Sequence, residues 1–197
     1  VTGFFRNPDV WEGIRSVLRS LSEDCDRIHA WSAACADGRE PYSLAMLGLD
    51  DPRTAGDRLS ILASDINRAA LDAATEGVYE SSRTIDVGEQ LTFLSNYHRY
   101  VDQSGERFAI RDPVKEMVAF ERHDLINDEP KSGFDLVICR NLFIYIDNEY
   151  KQSILRTISE SLRPGGYLVI GKAETIPPGL KSEFTILDGR LRIYRRE

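Results

Sequence analysis

The chain has 197 residues, of which 42% are hydrophobic and 29% are charged, enough to bury one substantial core, so we expect one domain with an insertion. A net charge of −7 disfavours a protein that wraps nucleic acid, since neutralising phosphates requires clustered lysine and arginine. No run of apolar residues is long enough to span a membrane, and no signal peptide opens the chain. Because the sequence begins at Val1 without a methionine, we expect a fragment or a processed chain.

The first part of the chain alternates between helical and strand patterns. Pro8 at a first helical position, with Asn7 as a candidate cap, opens an amphipathic helix whose apolar residues recur at helical spacing as far as Leu21. Strands are then predicted at 27–33 and 59–66, and helices at 41–49 and 67–77. Asn67 is predicted to cap the last of these helices and Gly77 to end it.

The second part resumes this alternation after an interruption. Residues 78–116 suggest a short helix and short antiparallel strands, so we predict a small inserted β-subdomain there. Buried strands are predicted at 117–124, 134–141 and 167–174, with a helix at 148–162. Residues 183–196 form two β-rich runs around Asp188-Gly189, a strong hairpin signal.

Strands that alternate with helices predict βαβ units and a mostly parallel α/β sheet, to which the terminal hairpin adds an antiparallel pair. Ligands of open α/β sheets bind outside the carboxyl ends of the strands. Polar residues follow four of the predicted strands, at 34–40, Asp65, His123-Asp124 and Arg140-Asn141. Arg140 and Asn141 stand between two apolar runs, so we expect them to face a ligand crevice and not the core.

These polar residues also have structural interpretations. Asp65 can bond the hydroxyls of a ribose or cap the helix that starts near Asn67. Glu40 can pair with a ligand ammonium group or complement the dipole of a helix N-terminus. Gly38 is the single glycine of the first loop, which therefore fails the G-x-G-x-x-G pattern of NAD sites. A nucleoside ligand without pyrophosphate, such as S-adenosylmethionine, suits this loop better.

Residues outside the strand ends carry less signal. Thr2 and Arg6 precede the first helix and are candidates for the same crevice, although an arginine there can equally be solvated. Cysteines stand at 25, 35 and 139, odd in number and far apart, so we expect reduced thiols in a cytoplasmic protein. The cysteines and histidines show no spacing typical of zinc, and no metal site is predicted.

Five stretches, in chain order, resemble motifs of one family, the chemotaxis receptor methyltransferases (CheR family). They are "VTGFFRNPDVWEGI", "WSAACADGREPYSLAM", "ILASDINRAALDAATEGVY", "FDLVICRNLFIYID" and "LRPGGYLVIGKAE". The resemblance covers nearly the whole chain, and "REPYSLAM" and "CRNLFIYID" are specific to the family. It implies a Rossmann-like class I methyltransferase with a seven-stranded sheet, and it identifies the chain as the C-terminal catalytic domain, without the small helical domain that normally precedes it.

The resemblance implies transfer of methyl from S-adenosylmethionine to glutamate side chains of chemoreceptors, giving methyl esters used in chemotactic adaptation. The cofactor contacts that it implies are Thr2, Arg6, Glu40, Asp65, Asp124, Leu125, Arg140 and Asn141. Tyr145 matches the family's tyrosine near the transferred methyl group, with a core aromatic as the alternative, and Arg19 matches an arginine proposed near the substrate.

It also divides the chain into a cofactor-binding domain (1–77 and 117–197) and an inserted β-subdomain (78–116). That subdomain docks a receptor C-terminal peptide in some members. The other implied partner is the cytoplasmic domain of the receptors, and a monomer is expected.

Three departures from the family pattern bear on affinity for the cofactor. Arg39 stands where an acid is usual, Asp124 where asparagine is usual, and alanine occupies positions 34 and 36, where glycine or serine is frequent.

A glutamate carboxylate is ionised at neutral pH, so no general base is needed and positioning is the main requirement. The alternative function is a non-catalytic methyltransferase-like signalling module that binds cofactor or receptor.

Overall fold

The computed structural model describes residues 2–197, and Val1 lies outside the described part. Within these residues the helices are α1 (Pro8–Asp24), α2 (Arg39–Asp50), α3 (Arg68–Glu76), α4 (Val87–Leu91), α5 (Asp112–Lys115) and α6 (Asn148–Ser161). The strands are β1 (Ile28–Ala33), β2 (Leu59–Asp65), β3 (Val78–Glu80), β4 (Val101–Ser104), β5 (Arg107–Ile110), β6 (Val118–Arg122), β7 (Phe134–Cys139), β8 (Leu162–Ile170), β9 (Phe184–Asp188) and β10 (Ile193–Arg196). Short 3₁₀ turns cover Tyr97–Arg99, Phe143–Tyr145 and Pro178–Glu183.

The main sheet has seven strands in the order β6-β2-β1-β7-β8-β10-β9. The four pairings among the five strands from β6 to β8 are parallel, while β10 runs antiparallel to both of its neighbours. The carboxyl ends of β1, β2, β6, β7 and β8 therefore meet at one edge. This confirms the mostly parallel Rossmann-like sheet with a terminal antiparallel hairpin.

Both faces of the main sheet are covered, which is why its central strands read as continuous apolar runs. On one face Ile28 packs in a core with α1 residues such as Trp11 and Ile14. On the other face Trp31 packs in a second core with residues such as Ile158 of α6. None of the helices within residues 2–197 combines the length and the apolar character needed to cross a bilayer.

A second sheet of three antiparallel strands, in the order β3-β5-β4, forms within the predicted insertion. Its apolar side chains belong to the same core as α1 and α2. Phe4 meets Tyr79 of β3 edge-on at 4.9 Å between ring centroids, and Phe5 stacks on Phe93 at 4.5 Å. The segment before α1 is thereby held between the two sheets, which fixes the approach of Thr2 and Arg6 to the main sheet.

Several boundaries differ from the sequence prediction, such as the end of β8 at Ile170, four residues early, and two of the differences have a clear cause. Strand β8 begins at Leu162, five residues early, because its pairing with β7 slips at Phe134 and Gly165 takes up the irregularity with a φ of +79°. The terminal hairpin has a longer turn than Asp188-Gly189 alone, since one Asp188 oxygen accepts hydrogen bonds from the backbone N–H groups of Arg190 and Leu191.

The helix ends agree with the predictions at α3 and differ at α1. Asn67 accepts a hydrogen bond from the N–H of Ala70 at 3.2 Å, and Gly77 ends the helix in the left-handed region. Asn7 stands at the cap position of α1 with φ +60°, but its side chain makes no cap hydrogen bond. It binds Arg140 instead, so a residue that local sequence assigns to a helix end takes part in the candidate site.

Candidate functional site

A cavity of about 330 Å³ opens at the carboxyl edge of the main sheet, within the range of volumes seen for ligand sites. Its walls come from the segment before α1, the loop between β1 and α2, the end of β2 and the loop after β7. Seven of the ten residues proposed from the sequence line it: Thr2, Arg6, Glu40, Asp65, Arg140, Asn141 and Tyr145. The fold thus brings together residues that are distant along the chain.

Arg140 is the most deeply buried charge of this cavity, with 2% of its side chain exposed. Its Nη2 donates to the carbonyl of Arg6 at 2.9 Å and to Oδ1 of Asn7 at 2.7 Å. Its Nη1 lies 3.9 Å from Oε2 of Glu40. Its Nε has no hydrogen-bond partner among the described residues. The guanidinium is therefore held in place by the hydrogen bonds of Nη2, while the donor at Nε is not used.

Glu40 lies in the first turn of α2 with 16% of its side chain exposed. Its Oε1 accepts a hydrogen bond from the hydroxyl of Ser32 at 2.8 Å. Burial raises the pKa of Glu40 above its usual value, while the Arg140 guanidinium and the Ser32 hydroxyl act in the opposite direction. A cation bound in the cavity would relieve this unfavourable burial of negative charge.

Asp65, at the end of β2, holds two backbone segments in place. One oxygen accepts from the N–H of Ala36 at 2.8 Å and the other from the N–H of Asn67 at 2.9 Å. The capping interpretation of Asp65 is wrong, because Asn67 caps α3 and Asp65 binds the N–H of Asn67 itself, while its place in the cavity agrees with the prediction. Cys35 lies beside it, and burial, followed by the nearby Asp65 and Glu40 carboxylates, raises the pKa of this thiol, so it stays neutral and is a poor nucleophile.

The loop between β1 and α2 has a left-handed backbone at three positions. Ala34 has φ +59°, Ala36 has φ +49° and Gly38 has φ +89°. At Gly38 a Cβ would also come within 2.8 Å of the Cβ of Ala74, so glycine is needed there. The two alanines adopt a conformation that costs an L-residue about 1–2 kcal/mol, and both line the cavity.

A smaller cavity of about 140 Å³ adjoins the first and shares Ala34, Asp65 and Leu142 with it. Its remaining lining is mostly apolar and includes Leu125. Asp124 also lines it, but its two oxygens accept hydrogen bonds from Ile126 and Asn127 of its own turn. The Asn127 amide, ahead of the backbone bonds, lowers the pKa of the Asp124 carboxyl.

Two arginines discussed from the sequence point away from both cavities. The Nε of Arg19 lies 2.7 Å from Oδ2 of Asp51, the residue that follows α2. Glu40 is at the opposite end of this helix of 12 residues, about 18 Å long, so the structure does not bring Arg19 to the site. Arg39 donates to the carbonyl of Thr2 at 3.2 Å and stacks over the ring of Tyr79 at 5.1 Å. Its charge is therefore directed towards the small sheet.

Three contributors to the site were not predicted from the sequence: Ser32, which binds Glu40, Asn7, which binds Arg140, and Glu174, which binds the loop after β7. Glu174 is the last residue of the strand predicted at 167–174, whereas the observed strand β8 ends at Ile170, so this acid lies in the loop that follows. Within residues 2–197 no group of three His, Cys, Asp or Glu side chains could hold a metal ion.

The arrangement can bind a ligand that carries both signs of charge. Glu40 suits an ammonium group, the guanidinium of Arg140 suits a carboxylate, and Asp65 suits hydroxyl groups. The adjoining apolar cavity suits a flat ring. The first cavity's lining contains no histidine within the described chain, and its only thiol is neutral, so the site favours binding and orientation over proton abstraction.

The comparisons with known proteins agree with this description. Residues 1–193 match the family model described as CheR methyltransferase, SAM binding domain. A chemotaxis protein methyltransferase of Listeria monocytogenes is 39% identical over 179 residues, which is 89% of this chain and 65% of that protein. Chemotaxis protein methyltransferase 1 of Pseudomonas aeruginosa is 36% identical over 76% of this chain and 56% of that protein. The chain thus spans less than two thirds of the length of these relatives.

Among solved structures, a TehB-like SAM-dependent methyltransferase from Corynebacterium glutamicum has a TM-score of 0.52 at 13% identity, covering 92% of this chain and 84% of that one. At that identity the likeness shows the fold alone. The family match covers almost the whole sequence, and four of the five stretches that resemble family motifs contribute residues to the first cavity. The chain therefore belongs to the CheR methyltransferase family and corresponds to its S-adenosylmethionine-binding domain.

Proposed function

We propose that the protein is an S-adenosylmethionine-dependent protein-glutamate O-methyltransferase that acts on chemoreceptors. The observation that carries this proposal is the pairing, in one cavity, of a buried carboxylate and a buried guanidinium with an unused donor, Glu40 and Arg140. A free amino-acid end has the complementary charges. The family's own description names the ligand that has such an end and a nucleoside.

The residues that would hold the cofactor divide between the two cavities. In the first, Arg140 would bind the carboxylate of the methionyl end, Glu40 its ammonium group and Asp65 the ribose hydroxyls. In the second, Leu125 and the apolar lining would hold the adenine ring, with Asp124 at the edge. Thr2 and Asn141 would complete the wall of the first cavity.

The chain's task is to orient a carboxylate that needs no deprotonation. When bound, the cofactor supplies a methyl group that is already electrophilic. Arg6 is exposed at the mouth of the cavity, where its fork can guide the incoming glutamate through two oxygens. Tyr145, 78% exposed on the rim, faces the same approach and can shield the transferred methyl from water. Positioning of this kind can supply up to about 7–11 kcal/mol of barrier reduction.

The inserted segment, residues 78–116, is the part that we propose for partner binding, with residues 1–77 and 117–197 as the catalytic domain. In the order β3-β5-β4, each outer strand has one side without a sheet partner among residues 2–197. An extended receptor C-terminal peptide could add there as a further strand. We propose the cytoplasmic domain of chemoreceptors as the substrate, a cytoplasmic location and a monomeric enzyme.

The test measures binding and transfer separately. Calorimetry with S-adenosylhomocysteine should give a single site per chain. Incubation with receptor-containing membranes and methyl-labelled cofactor should then label the receptors, and base should release the label as methanol because the product is a methyl ester. Receptors with glutamine in place of the acceptor glutamates are the matched control. Binding without base-labile label on any receptor would favour the non-catalytic module.

A further inference from the structure

Glu174 is a buried acid, 4% exposed, that the proposed chemistry does not use. It follows β8 and accepts three hydrogen bonds, all from backbone N–H groups: Gly171 at 2.6 Å, Phe143 at 2.7 Å and Asn141 at 3.0 Å. A carboxylate only accepts, so all three donors depend on its two oxygens. It therefore joins the loop after β8 to the loop after β7, which carries the candidate site.

The two oxygens serve different parts of that loop. Oε2 accepts from Gly171 and from Asn141, whose left-handed backbone (φ +60°) lines the cofactor cavity. Gly171 packs closely on the same side, since a Cβ there would come within 2.8 Å of the Asn141 Oδ1 and 2.7 Å of the Glu174 Oε2. The Oε2 side thus controls the position of Asn141.

Oε1 accepts only from the N–H of Phe143, the first residue of the 3₁₀ turn Phe143–Tyr145. That turn is closed by the N–H of Tyr145 donating to the carbonyl of Leu142 at 3.0 Å. Tyr145 itself is mostly exposed. The Oε1 side therefore controls the start of the turn that presents Tyr145 to the substrate.

We propose that Glu174 is a positioning residue with two separable roles: its Oε2 holds Asn141 for cofactor binding, and its Oε1 holds the Phe143–Tyr145 turn for methyl transfer. The second role rests on the proposed function, because it assumes that Tyr145 acts near the transferred methyl. The first role requires only that the cavity binds the cofactor.

Two substitutions separate these roles. In Glu174→Gln we expect the amide oxygen to occupy the Oε2 position, because there it still accepts from the N–H groups of Gly171 and Asn141. The amide NH₂ then faces the N–H of Phe143, and this hydrogen bond is lost because both groups are donors. In Gly171→Ala the new methyl group would press on Asn141 and on Oε2 of Glu174, so it disturbs the Oε2 side directly, and we expect the bond from the Phe143 N–H to the other oxygen to persist. Glu183→Gln is the control, because Glu183 accepts from Ser159 far from the cavities.

The readouts are the Kd for S-adenosylhomocysteine and the single-turnover rate of methyl transfer at saturating cofactor. Glu174→Gln should lower the rate at least about tenfold and change Kd less than about threefold, because one hydrogen bond to a charged group is lost on the Tyr145 side only. Gly171→Ala should raise Kd about tenfold and change the rate less than about threefold. Glu183→Gln should change neither.

Equal losses in both readouts for either variant, or no change in either, would overturn the proposal. If Glu174→Gln does not fold, as judged by circular dichroism, Gly171→Ala alone decides by the same criterion. If the wild type binds S-adenosylhomocysteine but methylates no receptor, the proposed function fails, while the Asn141 role is still decided by the Kd values of the two variants.

Discussion

The two edges of the main sheet each hold a buried acid next to an arginine, with different surroundings. At the amino edge, Asp135 is 1% exposed, accepts from the N–H of His29 at 2.7 Å and pairs closely with Arg163. At the carboxyl edge, Oε2 of Glu40 lies 3.9 Å from Nη1 of Arg140, and within the described part of the chain Ser32 is the one hydrogen-bond donor to Glu40. Asp135 has its hydrogen-bond donor and its ionic partner within the fold. Glu40 and Arg140, in contrast, are too far apart to form a hydrogen bond with each other.

A buried charge that only stabilises the fold differs from one that can bind a ligand in what surrounds it. Both acids are buried, so burial alone does not identify a site. What distinguishes the carboxyl edge is a cavity beside the charge, an unused donor on Arg140 and left-handed backbone at Ala34 and Ala36. Each feature costs stability in the free protein, and ligand binding can offset the first two.

The largest expected effect comes from removing each arginine. Arg140→Ala should weaken S-adenosylhomocysteine binding by about 2–5 kcal/mol, because a ligand carboxylate loses its donor and Glu40 is left buried alone. Arg163→Ala should lower the free energy of unfolding by about 1–3 kcal/mol, because Asp135 loses an ionic partner, and leave binding unchanged. Calorimetry and urea denaturation measure the two quantities. Similar loss of binding in both variants would contradict the contrast.

Neutralising each acid tests the same contrast at a smaller scale. Glu40→Gln should weaken cofactor binding by about 1.5–3 kcal/mol, since it removes the charge that faces the ligand ammonium. Asp135→Asn should lower Tm, because asparagine keeps only one acceptor oxygen where the carboxylate has two. It should leave Kd within about twofold of the wild type, because Asp135 lies at the edge of the sheet opposite the cavity. A Kd change in Asp135→Asn as large as in Glu40→Gln would show that the two edges are coupled.

The pH dependence of binding sharpens the assignment of Glu40. Burial raises its pKa in the free protein, and a bound ammonium group would lower it, so the ionised form binds more tightly. Affinity should therefore rise with pH, by up to about tenfold per unit, and level off above the free-protein pKa of Glu40. Binding below that pKa should release a proton, detectable by calorimetry in buffers of different ionisation enthalpy. The slope should disappear in Glu40→Gln, and a slope that persists there would assign it to another group.

The smallest effect concerns the backbone of the first loop. Ala36→Gly should relieve about 1–2 kcal/mol of left-handed strain and lose about 0.5–1 kcal/mol through the greater freedom of the unfolded chain. A net stabilisation of up to about 1.5 kcal/mol is expected, measured as a shift in the denaturation midpoint. Ala33→Gly, in a buried strand position without positive φ, should instead destabilise. A loss of stability in both variants would contradict the strain at Ala36.

Some features could be determined from the sequence because they depend on local periodicity and on chain punctuation. The alternation of helices and strands predicted the parallel sheet, and Asn67 and Gly77 marked the ends of α3. Polar residues after successive strands predicted the cavity, because parallel strands share one carboxyl edge. Asp188-Gly189 predicted the terminal hairpin, although not the length of its turn.

Other features were decided only by the tertiary structure, because a long side chain turns to whichever acceptors the fold brings within reach. Arg19 extends to Asp51 and Arg39 to the carbonyl of Thr2, so neither faces the ligand, whatever its neighbours in sequence suggest. Asn7 binds Arg140 across 133 positions of chain, and Glu174 binds Asn141 across 33. Local sequence specifies which residues stand at the edge of the sheet, and long-range hydrogen bonding decides which of them point into the site.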